Sequence, residues 1–311
     1  MIVNGIEITQ HQLSYDKIIK NTLAESDELT VRFINGLFGD SVPLDAPVAW
    51  LDKETVNDKH VGFVADSYPK IADRMYSIEV EQDDEGDMAV RIFKYSVGGA
   101  LLHGMAATDT SIDIAFPQPC VVFLKSKKST PQSLTWNVEF FDGQKVTLEV
   151  PVLQLALLDV KEIAERDLFP IGQFYLRSFE PLTKRKVPKF RKAAASLLTE
   201  LKNAVDNGTV PFHVGIQMQE TIKKTLENAV AKSKQEVAVT MTTNIKDTLP
   251  WVDYATLIKK IEAEGKAEGE RNKALDIARR LQKKGLPPEQ IAELTDLTLE
   301  EIAKLVSSDK N

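Results

Sequence analysis

The spacing of apolar residues predicts a mixed α/β first half and a helical second half. Apolar positions recur every three or four residues over 16–38, which predicts one helix ending near Gly39. Short apolar or alternating segments then predict strands, and the acidic turn Asp83–Asp87 and the pair Asp142-Gly143 separate neighbouring segments. These segments are residues 61–65, 75–80, 90–93, 120–124, 134–141 and 145–150.

The pattern becomes helical towards the carboxyl end. Residues 152–180 shift towards helical spacing, and amphipathic helices are predicted at 190–206, at 216–232 and over a charged stretch from 254 to 284. Two short helices follow after Gly285. We therefore predict an α/β region at 1–186, a helical extension at 187–255, and a charged helix with a small helical tail at 256–311.

Composition narrows the class of protein. The chain has 311 residues, of which 43% are hydrophobic and 27% charged, so a sizeable core is expected. Its formal net charge of -7 argues against a sequence-blind polyanion binder, although a local basic patch is compatible with it. Cys120 is the single cysteine, and the sequence has neither a signal-peptide pattern nor an apolar run of ~20 residues. We therefore expect a soluble cytoplasmic protein without a membrane partner.

The most informative polar pattern is a pair of carboxylates on one predicted strand. A strand period of two places Ser77, Glu79 and Glu81 on one face and the apolar residues between them on the other. Two carboxylates on one strand face repel each other unless they are solvated or bridged by a cation. Asp66 follows an apolar segment and can approach Glu79 if the two strands form a hairpin. A solvated face and a Mg²⁺ site are both compatible with this spacing.

A family resemblance favours the metal site. It is carried by three segments in a fixed order: Asp66-Ser67-Tyr68, then Tyr76-Ser77-Ile78-Glu79-Val80-Glu81 with Glu85-Gly86-Asp87-Met88, then Arg91-Ile92-Phe93-Lys94-Tyr95. Together they resemble the PD-(D/E)XK nuclease family transposases, the recombination-promoting nucleases. The opening helix, the segment after residue 159 and the tail are similar as well. The resemblance implies a restriction-endonuclease-like mixed sheet flanked by helices, with a helical C-terminal region.

The resemblance also implies a function and a set of site residues. It implies a metal-dependent endonuclease that hydrolyses DNA phosphodiesters, with Asp66 and Glu79 binding Mg²⁺ or Mn²⁺. Glu81 departs from the family, which usually has glutamine there, and from the wider superfamily, which has lysine. Gln82 replaces that glutamine if a bulge shifts the register. Arg91 and Tyr95 either contact phosphate or pack beside the site.

The departure at Glu81 keeps a second hypothesis open. A glutamate neither offsets phosphate charge as lysine does nor orients water as glutamine does, although it can join a metal shell. The alternative is therefore a catalytically impaired member of the same fold that binds DNA or a protein.

Two further features bear on partners. Basic clusters at 125–128 and 184–192 are local candidates for contacts with a phosphate backbone, or else ordinary solvated surface. The tail at 281–305 has the apolar spacing of a small helical core. Because Glu300 and Glu301 begin its last helix, where they would repel DNA, we favour docking or self-association of the C-terminal helices over DNA reading.

Overall fold

The computed structural model describes most of the first 233 residues and part of the tail. Described are residues 2–3, 6–7, 15–52, 67–83, 86–233, 249–250, 273–275, 277–278, 287–295, 297–299 and 302. Two compact units divide the chain, Met1–Trp251 and Val252–Asn311. Asp66 and the predicted segments at 61–65 and 254–272 lie outside the described residues. Within those residues, every helix is too short or too polar to span a lipid bilayer.

Strands and helices alternate through the first unit. The strands are β1 Ile2–Val3, β2 Ile6–Glu7, β3 Val48–Asp52, β4 Ser67–Ile71, β5 Arg74–Glu81, β6 Met105–Ala107, β7 Ile112–Ile114, β8 Gln118–Phe123, β9 Ser133–Glu139 and β10 Lys145–Gln154. The helices are α1 Tyr15–Ala24, α2 Asp27–Phe38, α3 Met88–His103, α4 Val160–Glu165, α5 Phe169–Gly172, α6 Val187–Asp206 and α7 Phe212–Ala231, with 3-10 turns at Leu155–Leu157 and Tyr175–Phe179.

Six strands form one mixed sheet in the order β3-β4-β5-β8-β10-β9. Strands β3, β4 and β5 are antiparallel neighbours, β5, β8 and β10 run parallel, and β9 returns antiparallel at the edge. The connection from β5 to β8 is long enough to hold α3 and the β6–β7 hairpin, as a parallel pair requires. The predicted α/β class with a mixed sheet flanked by helices is confirmed at this level.

Helices cover both faces of this sheet. Alternation along β8 shows the two layers, because Cys120 and Val122 pack with α1, α2, α6 and α7, whereas Val121 and Phe123 pack with α3. Residues of α6 and α7 therefore share the main core with the sheet. The face under α3 is smaller, and it is the face that carries Glu79.

Two predicted elements are wrong. The helix predicted over 16–38 is two helices, because Ser26 caps α2 by accepting a hydrogen bond from the amide of Leu29 at 3.2 Å. The apolar segment at 90–93, predicted as a strand, lies inside α3. Residues 152–180 contain the end of β10 and only short helical pieces.

The remaining predicted elements are close to those observed. The segments at 75–80, 120–124, 134–141 and 145–150 correspond to β5, β8, β9 and β10, and the two amphipathic helices correspond to α6 and α7. Gly143 has a φ of 83° at the β9–β10 turn, where glycine avoids a steric cost.

The second unit has its own small apolar core. Its described part contains α8 (Pro288–Thr295), and Ile291, Leu297 and Ile302 are buried together with Ala278. Leu294 is one of the apolar residues whose spacing at 281–305 predicts this core, but it is 64% exposed. Leu281, Leu286 and Leu305 lie outside the described residues.

Candidate functional site

The predicted carboxylate face exists and lies under α3. Tyr76 and Val80 belong to the main core on one side of β5, whereas Ser77, Glu79 and Glu81 occupy the other side. Strand β5 is central in the sheet, and Glu79 and Glu81 pair in register with Val121 and Phe123 of β8. Both carboxylates therefore lie near the carboxyl ends of parallel strands.

Helix α3 is fixed above this face by three contacts. The hydroxyl of Tyr68 donates a hydrogen bond to the carbonyl of Tyr95 at 2.8 Å, and the indole of Trp136 donates to the carbonyl of Ala89 at 3.2 Å. A Cβ on Gly99 would lie 2.9 Å from the Tyr68 ring, so glycine is needed for this close approach. The anchored helix sets the position of every side chain in its first turns.

Arg91, in the first turn of α3, bridges the two carboxylates. A single guanidinium nitrogen, Nη2, donates to Glu79 Oε1 at 2.8 Å and to Glu81 Oε1 at 2.6 Å. The Glu79 side chain is only 8% exposed, whereas those of Glu81 and Arg91 are 28% and 30% exposed. The repulsion between the carboxylates is thus offset by a cation that the chain itself supplies.

Electrostatics keep the Arg91 guanidinium charged. Burial by itself lowers the pKa of Arg91, but hydrogen bonds with Glu81 and Tyr95 and the charges of Glu81 and Glu79 raise it above its ordinary value. Tyr95 lies one helical turn after Arg91, so the two predicted accessory residues meet in the site. The structure shows Arg91 bonded to both carboxylates and Tyr95 bonded to Arg91.

Gln82 is on the opposite side of the sheet, as plain alternation predicts. Its Oε1 accepts a hydrogen bond from the Tyr15 hydroxyl at 3.2 Å, and its Nε2 donates to Asp83 at 3.4 Å. The pKa of Tyr15 is raised, chiefly by burial, so the phenol keeps its proton and can donate. Asp16 on α1 accepts from the amide of Val80 at 2.9 Å, which fastens α1 to the same strand.

A buried hydroxyl adds to the polar character of the α3 face. Ser77 is 1% exposed, and its Oγ has no hydrogen-bond partner among the described residues. It precedes Glu79 by two positions and so shares its face of β5. A buried polar atom without a partner is costly unless water or a ligand satisfies it.

Glu79 and Glu81 are the two carboxylates that the described part of this face offers to a metal ion. Within the described part of the chain, no three histidine, cysteine, aspartate or glutamate residues lie close enough to share a cation. The oxygen chemistry of Glu79 and Glu81 suits a hard divalent cation, but Arg91 Nη2 already contacts both of them. Residue 66, the further ligand that the resemblance implies, lies outside the described residues.

The basic clusters are partly neutralised. Lys125 pairs with Glu180 at 3.6 Å and Lys127 with Asp83 at 3.3 Å. In the second cluster, Lys186 donates to backbone carbonyl groups, whereas its neighbours at 184, 185, 189 and 192 are exposed. The exposed part of the second cluster is therefore the better candidate for binding a polyanion.

Comparison with known proteins adds no identification: no family model, curated protein or solved structure matches this chain.

Proposed function

We propose that this chain is a metal-dependent DNA endonuclease of the recombination-promoting nuclease type. The observation that carries the proposal is the placement of Glu79 and Glu81 side by side on a half-buried face of a central strand. The order of motifs in the sequence adds the family resemblance. We further propose that the mixed sheet is restriction-endonuclease-like, since its strand order and flanking helices accommodate that fold.

Asp66 and Glu79 would hold Mg²⁺ or Mn²⁺ in this proposal. When bound, such a cation supplies an activated water and stabilises the leaving oxygen. The chain itself fixes Glu79 by burial and by the contact with Arg91 at 2.8 Å. Arg91 and Tyr95 form the edge of the site on α3, where a guanidinium is suited to bidentate binding of a DNA phosphate.

A nicking assay tests this proposal. Supercoiled plasmid is incubated with the protein in Mg²⁺, Mn²⁺, Ca²⁺ or EDTA, and the variants Asp66→Asn and Glu79→Gln are compared with the wild type. We expect cleavage in Mg²⁺ or Mn²⁺ only, and a loss of at least about a hundredfold in either variant.

Glu139→Gln is the matched control, since Glu139 is an exposed glutamate that pairs with Lys145 on the β9–β10 hairpin. It should cleave like the wild type. The proposal fails if the folded wild type neither binds these cations nor cleaves DNA.

A specific observation supports the second candidate, a non-catalytic member that binds DNA or a protein. Arg91 contacts both carboxylates and offsets their repulsion, so the fold has no need of a metal to hold them together. DNA binding that persists in both Mg²⁺ and Mn²⁺ without any cleavage would favour this candidate. Self-association through the C-terminal unit is a further proposal, which light scattering on the chain with and without residues 252–311 tests.

A further inference from the structure

We infer that Arg91 is a built-in counter-ion that competes with the divalent cation for Glu79. This inference rests on the proposed function, because it assigns a regulatory residue to the same metal site. Its basis is that one nitrogen of Arg91 contacts the nearest oxygens of both Glu79 and Glu81. A cation that binds Glu79 through the bridged oxygen must displace this nitrogen.

Arg91 excludes a divalent cation from this oxygen of Glu79 for both steric and electrostatic reasons. A divalent cation bound to Glu79 through oxygen takes ligands at about 2.0–2.2 Å, well inside the 2.8 Å contact that Arg91 makes with the same oxygen. The guanidinium repels such a cation at this distance and cannot relieve the repulsion by losing its proton, since arginine stays charged in proteins. Arg91 must therefore leave this oxygen of Glu79 before the cation binds to it.

The surroundings allow Arg91 to leave. Its side chain is 30% exposed, and it lies in the first turn of α3, so solvent is within reach of the guanidinium. Tyr95, one turn further along the same helix, is a further hydrogen-bond partner of the guanidinium. The hydroxyl of Ser77, which has no partner within the described part of the chain, is a polar group on the vacated face that water bound to the cation can satisfy.

The resulting site is closed at rest and opens when an anion draws the guanidinium away. A DNA phosphate is such an anion, because arginine binds phosphate with two parallel hydrogen bonds. If the open form is about one-tenth populated, the apparent affinity for the cation is about tenfold weaker than the intrinsic affinity. Removal of Arg91 should therefore raise the apparent affinity for the cation by about tenfold, even without DNA.

A Mn²⁺ titration without DNA tests the inference, with free Mn²⁺ measured by electron paramagnetic resonance. The decisive variant is the double substitution Glu81→Gln with Arg91→Gln, which keeps the net charge of the site but removes the bridge. We expect it to bind Mn²⁺ about tenfold or more tightly than the wild type. Arg91→Gln alone should also bind more tightly, and if it fails to fold the double variant carries the test.

Two controls complete the design. Arg74→Gln removes an arginine at the start of β5 that pairs with Asp40, and it should leave Mn²⁺ affinity unchanged. Adding Glu79→Gln to the double variant should abolish the gain, which places the cation on Glu79.

The outcomes separate the two proposals. If the wild type binds Mn²⁺ and the double variant binds no more tightly, the role of Arg91 is overturned while the metal-dependent function stands. If no variant binds Mn²⁺, both are overturned.

Discussion

The contact between Glu79 and Arg91 should contribute measurably to the stability of the folded chain. The perturbation is a double-mutant cycle of Glu79→Gln, Arg91→Gln and the combined variant. Removing the partner of a fully buried charge typically costs 3–5 kcal/mol, whereas exposed pairs contribute ~0.2–1 kcal/mol. Glu79 is almost fully buried, but about a third of Arg91 is solvated, so we expect a coupling free energy of about 2 kcal/mol.

The cross-strand pair Lys145–Glu139 is the internal reference. Its N···O distance of 3.0 Å is close to that of the site pair, but its side chains are 69% and 61% exposed. The same cycle there should give a coupling below about 0.5 kcal/mol, since solvent screens the charges and both side chains lose entropy. Comparing the two pairs isolates the effect of burial.

Urea and thermal unfolding followed by circular dichroism supply the measurement. For a unit the size of Met1–Trp251, a free-energy difference of about 2 kcal/mol corresponds to a shift in Tm of about 4–8 °C, so a coupling of this size is measurable. A coupling at the site no larger than that of Lys145–Glu139 would refute the argument that burial gives this contact its strength.

Three further predictions follow from single residues. Gly36→Ala should lower the urea midpoint of unfolding, because the new Cβ would lie 1.7 Å from the carbonyl oxygen of Arg166. The cost of overpacking, ~1–3 kcal/mol, exceeds the gain in helix propensity, so an equally stable variant would contradict this prediction. Burial and the hydrogen bond to Asp40 raise the pKa of Tyr76 to about 12, so its contribution to stability is present below pH ~10 and lost between pH ~10 and ~12. The free energy of unfolding of Tyr76→Phe should therefore fall less steeply than that of the wild type over this pH range, and an unchanged pH dependence would count against the argument. Burial raises the pKa of Cys120 to about 12, so a disulfide reagent at pH ~8 should label this thiol only after unfolding. Labelling of the native chain within minutes would contradict this prediction, because it would show that the thiol is accessible.

Local patterns predicted most of the central sheet but misassigned the helix over the site. A short segment such as Val90–Phe93, in which Arg91 stands among three apolar residues, is equally compatible with a strand and with a buried helical turn. The longer pattern distinguishes them, since Met88, Ile92 and Ser96 are buried at intervals of four residues. The acidic segment before residue 88 resembles a hairpin turn. That interpretation predicts a strand after the turn, where the structure has α3.

The break between α1 and α2 had a visible signal. Ser26 is followed by Asp27 and Glu28, which is the arrangement of an N-cap with acidic residues in the first turn of a helix. Apolar spacing continues across the break because both helices cover the same face of the sheet. Periodicity therefore predicted which residues face the core, but capping chemistry was needed to find the helix ends.

The role of Glu81 depends on tertiary packing that spacing alone does not contain. The period of two correctly placed Glu81 beside Glu79 and raised the question of what offsets their repulsion. The answer comes from the next element in the chain, because α3 brings Arg91 between the two carboxylates. Glu81 and Arg91 therefore form one ion-paired unit: the glutamate that departs from the pattern of the family that the sequence resembles is a partner of the arginine. Glu81→Gln, which introduces the residue usual in that family, also removes one of the two anions that hold Arg91 in place, so its effect on the proposed metal binding has to be measured with and without that arginine.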